Sequence, residues 1–252
     1  MIRHFLTSAL LAGFLAGLAI TGLQQATTAP LILQAEQFEA AASAPASGTP
    51  QGHDHAAHDP AQAAVHAHDA DGGGWAPADG LERLFFTTLA NVVAAIGFAF
   101  VLVACLALWN GRASGQTGIL WGLAGFAVFT LAPSLGLAPE LPAMNAAGLV
   151  ARQIWWIAAA AATAAGLWLL AFPRRPLAAA AGIIVMALPH IVGAPHPHEL
   201  SARIPSELAA QFAAASIATS AVFWACLGWL AGTFYGRRPA VAAADGRLSP
   251  AE

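Results

Sequence analysis

Long apolar runs alternate with short polar breaks along this chain. Six windows free of Asp, Glu, Lys and Arg run over residues 5–33, 84–109, 119–137, 154–172, 177–194 and 208–235. A bilayer core of about 30 Å takes about 20 residues of helix, and each window is near that length, the fifth being the shortest. Within the windows Ala and Leu dominate and the two-residue alternation of a strand is missing. The pattern predicts an all-α, polytopic integral membrane helix bundle of about six transmembrane helices. The first helix lies within residues 1–36 and the other five form a membrane core over 81–238. The polar stretch 37–80 is, from residue 40 on, mostly Ala, Pro, Gly, Ser, His and Asp, with almost no large apolar residue before Trp75. It cannot bury a core and is expected to be a disordered loop, as is the tail 239–252.

Arginine placement predicts the orientation, since cytoplasmic loops collect Lys and Arg. With six passes and the N-terminus inside, Arg3, Arg112, Arg174, Arg175, Arg237, Arg238 and Arg247 are inside, while Arg83, Arg152 and Arg203 are outside. Both termini are then cytoplasmic and the 37–80 loop faces outside. The first window exceeds the usual core of a signal peptide, and a cut after Ala29 would leave Pro30 next in line, so it is read as a retained helix.

Composition agrees. Hydrophobic residues make up 58% of the 252 and charged ones 9%, too few to cover a soluble globule. The net charge of −3 and the lack of a basic patch exclude a nucleic-acid partner. Cys105 and Cys226 both sit inside apolar runs, which fits small core residues rather than a disulfide or a CxxC metal site.

The candidate chemistry lies in the histidines. His53, His55, His58, His66 and His68 crowd into sixteen residues with Asp54, Asp59, Asp69 and Asp71 between and after them. Neutral imidazole ligates zinc, nickel, cobalt and copper ions. Spacing this loose implies no fixed geometry, so such a loop binds several divalent metals weakly. A solvated linker is the plainer alternative, and the density of histidine favours capture. His190 follows Pro189 inside the fifth window, and His196 and His198 lie just beyond it; the three complete the set of candidate metal ligands. A proline removes a helical hydrogen bond, so His190 either ligates a cation or bonds a freed carbonyl.

Polar residues inside spans are costly and point to function. Gln24, Gln25, Asn91, Gln153 and Gln211 fall toward the outer side of this topology, with Glu36, Glu140 and Glu207 close by. Together they suggest a polar vestibule under the histidine loop and a set of transport-pathway candidates: Gln24, Gln25, Asn91, Glu140, Gln153, Glu207 and Gln211. Trp155 and Trp156 read as interfacial anchors. "GFLAG" (13–17) permits close helix approach, and Gly122 and Gly125 suit packing of the third span. A weak repeat relates "PSLGLAP" (133–139) to "PHIVGAP" (189–195), and "LVARQ" (149–153) to "ELAAQ" (207–211). It suggests two related hairpins, 116–173 and 176–236, of the kind transporters use. No paired acid and base with fixed ligand spacing occurs, so no catalytic residues are expected and an enzyme ranks last.

Six stretches, taken in order, resemble the CbtA family of proposed cobalt transporter subunits. They are "LQQ…PLILQAE" (23–36), "WAPADGLERLFFTTLAN" (75–91), "WGLAGFAVFTLAPSLGLAPELP" (121–142), "ARQIWW" (151–156), "LPHIVGAP" (188–195) and "PSELAAQF" (205–212). The resemblance implies a bacterial inner-membrane protein that takes up Co²⁺ for cobalamin synthesis. It also implies a small one-span, histidine-containing CbtB-type companion. The metal would be cargo, with no resident cofactor. Members are described with five spans, against six windows here. The alternative role is a non-transporting accessory or metal-sensing subunit that delivers metal to another permease.

Overall fold

The computed structural model describes residues 2–43, 77–109, 111–142, 144–173, 175–197 and 204–237. These form seven helices: α1 (Ile2–Thr27), α2 (Ala29–Ser43), α3 (Leu81–Leu108), α4 (Gly115–Ser134), α5 (Leu149–Ala171), α6 (Pro176–Val192) and α7 (Ser206–Gly236). There is no strand among the described residues. Leu10, Phe14, Leu18, Leu120, Ile157 and Ile183 are among many large apolar side chains left exposed, as a lipid-facing surface requires.

Five of the helices, α1, α3, α4, α5 and α7, are long and apolar enough to cross a bilayer. The fifth sequence window corresponds to α6, which has 17 residues and a rise of about 25 Å. It nonetheless runs antiparallel along α5. Gly166 meets Gly182 and Met186, and the Trp155 indole N–H donates to the Pro189 carbonyl at 3.1 Å. At the far end of the bundle, His4 Nε2 bonds the Tyr235 carbonyl at 3.0 Å, so α1 starts where α7 stops. α6 thus carries the chain back along α5, so that α7 can end beside the start of α1.

The first window was expected to be one helix ending near residue 36, with a disordered loop from 37. The helix instead breaks after Thr27, and α2 continues to Ser43. Pro30 sits in the first turn of α2, where its missing amide costs nothing. Ala35 on α2 is then buried with Leu141, Ile204 and Leu208 in a small apolar cluster. α2 runs on through residues 37–43, where composition alone favours a loop.

Small residues set the main seams. Gly13 and Gly17 lie against the backbone of Ile96 and Val92, so "GFLAG" does bring α1 onto α3. Gly118, Gly122 and Gly125 face Trp224, Gly228 and Gly232, closing α4 onto α7. Leu102, Val103, Leu106, Trp224 and Leu227 form the central core, with the half-buried Cys226 against it. The hairpins suggested by sequence join α4 to α5 and α6 to α7. The long packed seams join α4 to α7 and α5 to α6 instead, and α4 touches α5 chiefly through its last turns.

Candidate functional site

One end of the bundle carries nearly all of the polar groups singled out in the sequence. It is the end from which residues 44–76 leave, between Ser43 and Pro77. Two cavities open there.

The first cavity, about 590 Å³, lies among α1, α2, α3 and α7. Gln24, Gln25 and Thr28 wall one side, Arg83 and Thr87 a second, and Ser216, Thr219 and Ser220 a third. Asn91 stands one step deeper. Its side-chain amide donates to Gln24 Oε1 at 2.7 Å and to Thr21 Oγ1 at 3.0 Å. Thr21 passes its own proton to the Gly17 carbonyl at 2.9 Å. The two bonds from Asn91 cross the α1–α3 seam and that from Thr21 stays within α1, where lipid would offer no partner. At the rim, Arg83 Nη1 donates to Glu36 Oε2 and to Asp79 Oδ1, both at 3.1 Å, and Nη2 also bonds Glu36. The fork-shaped contact ties α2 to the start of α3. Asp79 and Gly80, the last residues before α3, line the cavity as well, so the returning arm of the histidine loop forms its lip. Gly80 has φ +91°, a conformation that a side chain resists.

The second cavity, about 750 Å³, lies between the end of α4 and the start of α5. It is lined by Thr130, Ser134, Glu140, Arg152, Gln153 and Trp156, among others. Arg152 Nη2 and Glu140 Oε2 pair at 2.8 Å, half-buried. Beside this cavity α4 loosens into a π-helical turn over Ala127–Leu131, just before Pro133.

The predicted residues therefore separate into two sites rather than one vestibule. Gln24, Gln25 and Asn91 belong to the first, Glu140 and Gln153 to the second. Glu207 and Gln211 are exposed on α7 and line neither. The face of α7 that does reach the first cavity holds Ser216, Thr219 and Ser220. Their helical spacing was the available signal, yet small hydroxyls in an Ala-rich run rank low as polar outliers. Arg83 and Thr87, one turn apart on α3, were likewise missed.

His190 is half-buried at the end of α6, edge-on to Trp155 with ring centroids 5.6 Å apart. Neither it nor the exposed His196 reaches a cavity wall. Trp155 is 7% exposed. It is a packing residue over Gly136 and a donor to Pro189, which corrects its reading as an interfacial anchor. No three His, Cys, Asp or Glu side chains meet in a metal-binding group among the described residues. His53, His55, His58, His66, His68 and His198 lie outside the described residues.

No curated protein and no solved structure matches the chain significantly. A family model does, over residues 2–236, and it is described as "Probable cobalt transporter subunit (CbtA)". The match takes in every described helix, both cavities and the loop between α2 and α3, and the chain is accordingly a membrane protein of the CbtA family.

Proposed function

We propose that this chain is the membrane subunit of a divalent metal-ion uptake system. The cargo is Co²⁺, the metal in the family description. Neutral imidazoles of the 44–76 loop capture the ion outside the cell. The supporting observation is where that loop is anchored. Glu36 and Asp79, on its two arms, both hold Arg83 at the rim of the first cavity. An ion released from the loop meets the Gln24, Gln25 and Thr87 oxygens next to that anchor. His190 and His196, at and just beyond the end of α6, would offer further nitrogen ligands outside the two cavities, with His198 two positions further along the chain.

In this reading the loop-bearing end faces outside, in the bacterial inner membrane, and both termini are cytoplasmic. Arg83 and Arg152 at that end are paired with carboxylates, while Arg3, Arg112, Arg175 and Arg237 gather at the other end. The word subunit in the family description implies partners. A one-span, histidine-bearing CbtB-type chain is the partner we propose, and cobalamin synthesis the use of the metal.

A second reading has its own support. Below Asn91 the α1–α3 seam is closed by Gly17 on Val92 and Gly13 on Ile96, so the first cavity ends against packed backbone. A chain that collects metal and passes it sideways to another permease fits that geometry too.

Uptake of radiolabelled Co²⁺ into liposomes separates the two. The protein, alone or with the small partner, should load the vesicles; collection without loading under either condition favours delivery. Replacing His53, His55, His58, His66 and His68 with Ala should lower uptake at scarce metal far more than at plentiful metal. An equal loss at every concentration would remove capture from the mechanism. His190→Ala should slow uptake even at saturating metal, and normal uptake by a well-folded variant would confine His190 to packing on Trp155.

A further inference from the structure

The last third of α4 leaves carbonyl oxygens without helical donors. The Ala132 amide bonds back to the Ala127 carbonyl, a step of five residues. The Leu135 amide bonds the Leu131 carbonyl at 3.2 Å. Pro133, between them, has no amide hydrogen. The Ser134 amide is then the one helical donor left for the carbonyls of Val128, Phe129 and Thr130. Two of those three carbonyls have no helical partner. Lipid cannot supply one, so water, a side chain or a cation must.

This turn faces the second cavity. Phe129, Thr130, Pro133 and Ser134 all line it. A helical carbonyl points along the axis toward the residue four ahead, so that of Phe129 aims at Pro133, on the cavity wall. Thr130 and Ser134 are one turn apart on the same face and add two hydroxyl oxygens. Gln153 adds an amide oxygen from α5.

The donor set is all oxygen, with no imidazole or thiolate on the wall. Such a set is hard, and a poor match for a transition metal that prefers nitrogen. The charges of Glu140 and Arg152 cancel in their ion pair, so the cavity has no net negative charge with which to hold a divalent ion. A monovalent cation needs none.

We propose that this cavity binds an alkali-metal cation, Na⁺ or K⁺, at a place separate from the path of the cargo. α5 meets the rest of the bundle chiefly at these turns of α4, and α6 packs on α5. A cation here would bind at the joint between the α5–α6 pair and the remaining helices. Its role as a driving ion rests on the uptake reading above; its binding does not.

The test uses the purified full chain in nanodiscs, titrated with ²²Na⁺ at constant ionic strength in an organic-cation buffer, with K⁺ and Co²⁺ as competitors. Saturable binding is expected, displaced by one or both alkali ions and not by Co²⁺. Thr130→Val, which keeps the shape and removes the oxygen, should weaken binding about tenfold or more. Pro133→Ala restores an amide opposite the Phe129 carbonyl. It should weaken binding while leaving thermal stability equal or higher, which loss of a merely structural residue would not do. No saturable alkali binding, unchanged binding in both variants, or displacement by Co²⁺ at equal strength overturns the site. Co²⁺ uptake without alkali binding also overturns it, yet leaves the uptake reading standing. Alkali binding without uptake supports the site and removes its coupling role.

Discussion

Arg83 shows how a single residue joins chain segments that sequence keeps 47 positions apart. Its guanidinium holds Glu36 in a two-pronged contact and reaches Asp79 as well. Arg83 and Glu36 are each about a third exposed, so water screens much of the attraction. A double-mutant cycle of Arg83→Leu with Glu36→Gln, read by unfolding in detergent, should give a coupling of about 1 kcal/mol or less. A coupling several times larger would mean a dry pair and a closed rim. Asn91 is a different case, because it bonds Gln24 and Thr21 inside the membrane. Asn91→Leu should cost about 0.6–2 kcal/mol of stability, the range for interhelical hydrogen bonds in bilayers. A stability loss without any change in Co²⁺ uptake would assign Asn91 to packing alone. The sequence marked Asn91 and Gln24 because amides in apolar runs stand out. It did not mark Ser216, Thr219 or Ser220, since a hydroxyl can bond its own helix and hide there.

Helix seams are held by glycine more than by charge. A Cβ added at Gly228 would sit 2.8 Å from the Gly122 Cα, and one at Gly232 would sit 2.7 Å from the Gly118 Cα. Both obstacles are backbone, so the helices themselves would have to part. Gly228→Val should therefore destabilise the α4–α7 seam by about 1–3 kcal/mol or more and lower the yield of folded protein. Gly97→Val, where open space surrounds the position, should be tolerated; equal damage from both would refute the seam argument. At this scale the spans were plain in the sequence, because length and apolarity act locally. The π turn in α4 was not. Pro133 announced a break, but whether a proline kinks a helix or widens the preceding turn depends on what packs there. Phe129 stacks flat on Trp224, with centroids 5.6 Å apart, and also meets Trp156.

For the whole molecule, the contact between His4 and the Tyr235 carbonyl makes a prediction about topology. Reporters at the N-terminus and after residue 238 should both report the cytoplasm, and a reporter within 44–76 the outside. Termini on opposite sides would mean that α6 does not cross and that five passes is the right number. Periodicity and length were enough to establish an all-helical membrane bundle, five membrane-length helices and the small-residue faces, since each follows from the solvent that a segment prefers. Histidine density raised divalent-metal capture as a proposal; the five loop histidines themselves lie outside the described residues. Which helices pair was beyond sequence, because chain neighbours α4 and α5 share only one end while α4 and α7 share a whole seam. So was the division of the polar residues into two cavities. A side chain's rank as a polar outlier says that it costs energy in lipid; only the packing around it decides which partner offsets that cost, and which wall it joins.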